Sequence, residues 1–407
     1  MSVPRLRRLV SAFAVIGLLL PACGTRQTQG GDAGSPPFVF RSLNLRQQNV
    51  LGSPTWSLTS PEARYDMRRQ VAQAERPSGV IYRRGKEAFR LSALSGTVLN
   101  EGQVVILEGR IRVEQLGSRP LLIRAERARW YPRRNLLEMD RHPEAADASN
   151  RIRSRRGRYA FDTNLLTLSE SPRLEHWTTR NDPFVNRDRG APETVLHVQE
   201  ASWNTEGGDL RTKGGVRADR QVPGRSQGTP PQRITASRLE GNTVRQEFWL
   251  RGPVRFVDPF DGSELQAGDV RFDLRAQTAS SASPFSGQRA DLRASGLRFS
   301  ADAAGHWLTI GDGCLLTRSG DSLQADSCSW NWESQEVSAL GDVQLRRQEH
   351  QQYSRGGRLT GRLSRDGHLT LSNPGGRVIS RLHLPQGPRP LTPPLQPPRR
   401  AVAPIRL

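Results

Sequence analysis

The chain has 407 residues, room for one large or two to three ordinary domains. Hydrophobic residues make up 35%, enough for a thin core that suits a two-layer β architecture better than a thick α/β domain. Lys+Arg outnumber Asp+Glu 60 to 40, a formal charge of +20, and only Lys86 and Lys213 are lysines. That surplus reflects either an arginine-rich coding bias or anionic partners, whose phosphates and carboxylates the guanidinium fork matches.

The first residues read as an export segment. Arg5, Arg7 and Arg8 form a positive start, and Leu9 to Leu20 is an apolar run too short to span a bilayer comfortably. Leu20-Pro21-Ala22-Cys23 resembles a bacterial lipobox, with Pro21 unusual in it. The expectation is a lipoprotein signal peptide over 1–22, cleaved before a lipidated Cys23. The alternative is an ordinary signal peptide, or a short membrane anchor, with a chance cysteine. Export removes genomic nucleic acid from the anionic partners and leaves lipid head groups, phosphorylated glycolipids and acidic polysaccharide. No later apolar run reaches the length of a further span. Residues 23–37, rich in Gly, Gln, Thr and Ser, read as a flexible tether.

Phe38 to Leu45 reads as an entry strand, and Gly52 and Pro54 as the turn after it. The stretch Gly52–Asp66 then holds the first copy of a recurring pattern: Leu58, Ser60, Ala63, Tyr65, with Asp66 closing. Each half keeps the period of a strand, and the slip of parity at Pro61 reads as a β-bulge. Further copies are Phe89-Leu91-Leu94-Gly96, Ile123-Ala125-Ala128-Trp130, Ile152-Ser154-Gly157-Tyr159 and Leu196-Val198-Ala201-Trp203. They continue as Ile234-Ala236-Leu239-Gly241, Leu265-Ala267-Val270-Phe272, Leu292-Ala294-Leu297-Phe299 and Leu323-Ala325-Cys328-Trp330, with a weak last copy Tyr353-Arg355-Arg358-Thr360. A second strand follows each copy, as in Phe248-Trp-Leu-Arg-Gly252-Pro-Val254, and a Leu-x-Gly-x-Val ending recurs. A period of roughly 30 residues predicts about ten stacked two-strand repeats, all antiparallel β, in a two-sheet, V-shaped slab. The polar stretches Thr178–Glu193 and Asp219–Gln232 read as loops, and residues 385–407, rich in Pro and Arg, as an extended disordered tail.

The aromatic and apolar members predict an interior. Trp56, Leu58, Tyr65, Leu94, Trp130, Tyr159, Trp203, Phe272, Phe299 and Trp330 are its candidate lining residues, or simply its core. Gly52 reads as a turn residue, and Asp66, Asp162 and Asp273 as turn caps. Cys314 and Cys328 flank a turn near Asp321, which predicts a cross-strand disulfide or two buried thiols. Neither an HExxH, a G-x-S-x-G elbow nor a P-loop is present, and Asp258–Glu264 lacks the spacing of a calcium loop. No catalytic residue, metal or cofactor is expected; the chain reads as a binding protein and not an enzyme.

The export segment, the Gly52-x-Pro54-x-Trp56-x-Leu58 motif and the repeat together resemble the LptC family of lipopolysaccharide-export proteins, which shares its β-jellyroll with LptA and part of LptD. The resemblance runs best over 38–177, with 178–193 as an insertion and 194–384 as a continuation of the jellyroll or a second such domain. It implies a periplasmic, membrane-anchored protein that receives lipopolysaccharide from an inner-membrane transporter of LptB/LptF/LptG type. It implies transfer onward through edge strands to LptA-like or LptD-like jellyrolls, without chemistry or cofactor. The chain departs from the familiar members in its length and in a lipidated cysteine where they carry a transmembrane helix; the length resembles extended, cyanobacterial-type members. The rival readings are an exported parallel β-helix that binds or cleaves acidic polysaccharide, and a lipoprotein scaffold that only docks partners.

Overall fold

The computed structural model describes residues 38–184, 189–226, 228–348, 351–363 and 367–382. The expected signal peptide, Cys23, the tether and the Pro/Arg tail lie outside the described residues. Within them the chain forms 38 strands and no α-helix. Strand follows strand because apolar residues alternate with Arg, Ser, Thr and Gln, one face turned inward and the other to water.

The pairing separates two layers. One begins with Phe38–Phe40, Glu62–Asp66, Val71–Glu75 and Ser95–Leu99, each paired to the next. The other begins with Leu43–Gln48, Pro54–Ser60, Ser78–Arg83 and Lys86–Ser92. Pro54–Ser60 lies in the second layer, and after Pro61 the chain continues in the first as Glu62–Asp66. Every such arm crosses from one layer to the other at its middle, and successive arms pair with their neighbours along both halves. The molecule is an antiparallel meander folded along one crease. Four strands run through the crease unbroken: Val104–Gln115, Leu121–Tyr131, Glu336–Arg347 and Gln352–Arg362. Antiparallel pairing throughout overturns the parallel β-helix alternative. Pairing also continues past the 178–193 insertion: Arg173–His176 pairs with Thr194–His197, and Leu165–Ser169 with Glu200–Asn204.

This geometry revises the parity slip. In most copies the slip is the crossing between layers, not a bulge inside a strand. Only where the strand is continuous does a bulge appear, as between Ala125 and Arg127. Each repeat holds two arms, hence four short strands. Over the first repeats the first position beyond the crease carries small residues, Ala63, Gly96, Ala128, Gly157 and Ala201, and the next carries large ones, Tyr65, Val98, Trp130, Tyr159 and Trp203; in later arms the order reverses, with Leu239 before Gly241, Phe299 before Ala301 and Leu359 before Gly361. The layers are closest at the crease, and in the first repeats side-chain volume grows away from it. Register also shifts the phase of three copies. The inward sets are Leu91-Ala93-Gly96-Val98, Ala294-Gly296-Phe299-Ala301 and Ser354-Gly356-Leu359-Gly361. Leu94 and Leu297 therefore sit outside the crease, 49% and 56% exposed. Leu94 is not an interior residue; its side chain packs over Gly109.

Crossings in the two directions differ. Among the described residues, those from the first layer back to the second turn through left-handed backbone at Arg76, Gly109, His142, Glu170, Gly214, Gly252, Asp312 and Gly341, while the crossing from Ser281 to Phe285 does not. The recurring Leu-x-Gly-x-Val ending is this return crossing. The crossings outward use no positive φ at Pro61, Glu126, Gln199, Ser237 or Asp326. Cys314 and Cys328 form a disulfide with a Cα–Cα distance of 5.8 Å. Within the hairpin, however, Cys314 lies opposite Ala325, and Cys328 lies beyond the crease opposite Ile310 and Ala339. The bond staples one layer to the other and does not join facing positions of one hairpin. Gly52 holds a left-handed turn at φ +75, and its N–H donates to the Asn49 carbonyl.

Gly252 tests the return crossing. Its φ is +77, and an added Cβ would collide with Ser237 Oγ. Gly252→Ala is expected to cost about 2–3 kcal/mol, strain and overlap together. Gly262→Ala, at φ +69 with open space around it, should cost only about 1 kcal/mol. Denaturant midpoints of the two variants give the comparison.

Candidate functional site

Among the described residues the apolar side chains converge in the interior between the layers, and it is not uniform. Over the early repeats it is filled. Trp130 is 1% exposed and Tyr159 0%, with Phe89, Phe161, Leu137 and Leu166 equally enclosed. Trp56 meets Trp130 edge-on at 5.3 Å, and Phe89, Tyr159 and Phe161 form a three-way edge-to-face cluster. Each such pair adds about 0.5–1.5 kcal/mol beyond the burial itself. The Trp56 indole N–H donates to Gln47 Oε1 at 2.7 Å.

Away from the crease, the margins of the two layers are joined over this filled part. Arg83, at the end of a second-layer strand, donates to the Phe161 carbonyl and to Asn164 Oδ1 (2.9 Å) on a first-layer turn. It also pairs with Glu206 at 3.5 Å, and Arg119 donates to the Glu206 carbonyl. Beneath this clasp the Tyr159 hydroxyl donates to Gln115 Oε1 at 3.0 Å, and Thr205 Oγ1 donates to the same oxygen at 2.9 Å. Burial pushes the Tyr159 phenol well above its ordinary pKa, so it stays a neutral partner. Each of these buried polar groups has a partner, which is what makes a closed interior affordable.

Further along, the same inward positions are smaller and the layers part. In the first layer the register runs Phe248, Phe272, Ala279, Ala301, Leu308, and in the second Ile234, Phe256, Leu265, Gly287. All are half-buried. Nearer the crease, Leu239, Leu250, Val254, Val270 and Ile310 stay buried. The result is an apolar trough, floored at the crease and open on the far side. The mouth residue at successive turns records the change. Phe161 and Thr205 are 2% and 6% exposed, whereas Leu274 is 48% exposed. Beyond the trough the layers meet again: Leu323, Trp330, Val337 and Leu345 are buried, and Arg318 donates across the mouth to the Leu363 carbonyl. The Trp330 indole N–H, buried at this end, has no hydrogen-bond partner among the described residues.

The candidates from the sequence therefore divide. Trp56, Leu58, Trp130, Tyr159, Trp203, Phe299 and Trp330 are buried, Tyr65 and Phe272 are half-buried, and Leu94 is outside. The trough brings Phe272 together with Phe248, which pairs with it directly. Phe248, Phe256 and Ile234 were missed as lining residues. The periodic spacing that exposed Phe272 also fixes their parity, but not the parting of the layers.

The rim of the trough is polar and well paired. Arg225 grips Asp258 with two bonds, 2.9 and 2.7 Å, and stacks over Phe260 at 4.5 Å. Gln232 adds a third bond to Asp258 at 2.8 Å. These contacts tie Arg225 and Gln232 to the Asp258–Ser263 turn, which is a hairpin connection. Hydrogen bonding to Arg225 holds the Asp258 carboxyl down at about 2. Asp66 and Asp273 each accept two backbone N–H bonds in the following turn, and Asp162 accepts one. Among the described residues no group of acidic, His or Cys side chains is placed to hold a metal.

Among the described residues, each end of the meander leaves an edge without a further strand. Among the described residues Phe38–Phe40 pairs only with Glu62–Asp66, and its residues are 56%, 58% and 46% exposed. At the other end, among the described residues, Leu369–Ser372 and Ile379–Arg381 pair only with Gln352–Arg362. Ile379 and Leu382 are 55% and 61% exposed there. Unpaired edges with apolar residues are ready sites for strand addition.

Comparison with known proteins adds a family. Residues 9–176 match the LptC family, described as lipopolysaccharide-assembly, LptC-related. No curated protein matches the chain. Among solved structures, the chain is similar to LptH of Pseudomonas aeruginosa, "the LptA homologous periplasmic component of the conserved lipopolysaccharide transport device". The identity is 12% and the TM-score 0.25, over 28% of this chain and 82% of that one.

The Arg225–Asp258 pair makes a pH prediction. A carboxyl with its folded pKa lowered stabilises the fold above its ordinary pKa of 3.8 and loses that contribution as pH falls through about 2. Asp258→Asn should cost about 2 kcal/mol near neutrality. The gap between wild type and variant should narrow between pH 4 and pH 2. Unfolding curves of both proteins at pH 6, 4 and 2 check it; a constant gap refutes the assignment.

Proposed function

We propose, from the LptC-related match over residues 9–176, that this protein is a periplasmic lipopolysaccharide-binding component of the Lpt transport system. The observation that carries the reading is the interior itself: two apolar layers that part into an open trough, in a chain of net charge +20. Acyl chains require an apolar channel, and phosphorylated sugars left outside it are attracted by a basic surface. In this reading the protein accepts lipopolysaccharide from an inner-membrane ABC transporter of LptB/LptF/LptG type. It passes the lipid to an LptA-like or LptD-like partner by pairing at a free edge, and performs no chemistry. Lipidation of Cys23 would hold it at the membrane, the inner membrane by preference.

Depletion of the protein in the cells that make it provides the test. Newly made lipopolysaccharide is expected to accumulate in the inner membrane, with a matching loss from the cell surface. Normal surface lipopolysaccharide after full depletion would overturn the transport role and leave a docking scaffold. A photo-reactive residue at Val39 is expected to crosslink to a β-rich transport partner in the same cells.

A further inference from the structure

We infer that the N-terminal corner of the slab rests on an anionic lipid surface, with Val50, Leu51 and Met67 seated among the lipids and Arg68, Arg84 and Lys86 paired to their phosphates. The inference rests on the membrane attachment proposed above and adds a second contact to it, made by the folded part of the chain.

Three observations converge. First, the apolar side chains are bare: Val50 is 103% exposed, Leu51 85% and Met67 64%. They stand on the first outer turn of each layer. Residues 49–53 join Leu43–Gln48 to Pro54–Ser60, and residues 67–70 join Glu62–Asp66 to Val71–Glu75. The next turn along each margin is polar instead, Arg84-Gly85 in the second layer and Asn100–Gly102 in the first. At such exposure the three side chains add nothing to the core, and an apolar surface beside them would remove them from water. Second, the turns are held in place. Asn49 Oδ1 accepts the N–H groups of Leu51 and Ser53 at 3.0 and 2.9 Å, and the Asn49 carbonyl accepts that of Gly52 at 3.0 Å. Asp66 Oδ1 accepts those of Arg68 and Arg69 at 3.0 and 3.1 Å. A turn fixed in this way loses little freedom when its tip is inserted. Third, charge and attachment agree. Arg46, Arg68, Arg84 and Lys86 are exposed and have no ion pair among the described residues. No acidic residue occurs between Phe38 and Pro61, and Glu101 on the following first-layer turn is the opposing charge. Apolar tips ringed by basic side chains suit the interface of an anionic bilayer, where head groups meet the first methylenes. Cys23 lies fifteen residues before Phe38, and a chain of that length reaches at most about 50 Å. An anchor there keeps this corner, rather than the far end, within reach of the membrane.

The experiment uses the exported full-length chain, with its own N-terminal attachment, in vesicles of phosphatidylethanolamine and phosphatidylglycerol. Nitroxide labels are introduced one at a time through Leu51→Cys and Met67→Cys. Ile379→Cys, at the opposite end and 55% exposed, is the control. Collision with oxygen, which concentrates in the bilayer, is compared with collision with a water-soluble nickel chelate. The oxygen-to-nickel ratio is expected to be severalfold higher at Leu51 and Met67 than at Ile379; equal ratios would overturn the inference. In vesicles of phosphatidylcholine alone the excess should fall severalfold, and an unchanged excess would overturn the pairing with anionic lipid. Val50→Glu, at a fully exposed position, should return the Met67 label to water, and a label that keeps its depth counts against the shared insertion of the two turns. A photo-reactive residue at Leu51 in the cells that make the protein separates the rival occupant. Crosslinks to phospholipid support the inference, and crosslinks confined to a protein overturn it. Either failure leaves the outcome of depletion as it was, so the lipid contact and the transport role stand or fall separately.

Discussion

Two antiparallel layers that share every chain crossing must meet along a line and diverge from it. Along this crease the backbones approach closely, and over the first repeats the inward side chain beside it is small; one step further out the gap is filled or left open. The alternation of Ala63, Gly96, Ala128 and Gly157 with Tyr65, Val98, Trp130 and Tyr159 is the direct result. The same constraint dictates the backbone. Apart from the crossing from Ser281 to Phe285, a strand that turns back through the crease does so through left-handed residues, most cheaply at glycine, while the outward crossing needs none. The Cys314–Cys328 disulfide pins the two layers together beside this line, where they are already in contact.

Given the crease, whether the interior is solid or open depends on side-chain volume alone. Along one row of the first layer the residues run Trp130, Leu137, Tyr159, Leu166, Trp203 and Leu210. The row continues through Gly241, Phe248, Phe272, Ala279 and Ala301. In the facing layer Ala218 and Gly287 flank the larger Ile234, Phe256 and Leu265. The first run fills the wedge, so its margins can touch and Arg83 can reach Phe161 and Asn164. The second run leaves the wedge short of volume, and the large residues that remain stay half-exposed. Polar satisfaction follows the same division. Tyr159, Thr205 and Gln115 sit in a closed interior and complete one another's bonds, whereas the inward row of the trough is apolar throughout.

Much of the fold was legible because a repeat broadcasts its geometry many times. Leu58, Ser60, Ala63 and Tyr65 could be read as one strand with a slip, and nine further copies made the slip a rule. What a slip means was not legible. A bulge and a crossing between layers produce the same parity change, and only the pairing of Pro54–Ser60 and Glu62–Asp66 with different neighbours tells them apart. Phase was lost where leucines are plentiful: Leu94 and Leu297 fit the apolar pattern but fall on the convex side. The clasp was invisible, since Arg83 and Glu206 are ordinary turn-region residues brought together only by folding along the crease. The trough was half visible. Phe272 stood out by spacing, but its exposure depends on glycines and alanines on neighbouring strands.

A meander on a crease is an unusually easy structure to lengthen. Each added repeat pairs with the one before it, buries its inward face against the same opposite layer, and presents a new free edge like the one it covered. No existing contact is disturbed, so the family-matched segment can keep its packed interior while later repeats take another composition. The match ends at residue 176, and the clasp that closes the filled part uses Thr205 and Glu206, just past that point. The first repeats after the match thus complete the closure of the earlier interior, and those after them open. A packed segment next to an open one gives a rigid frame beside an adaptable groove, and the two can change independently because only side-chain volume separates them.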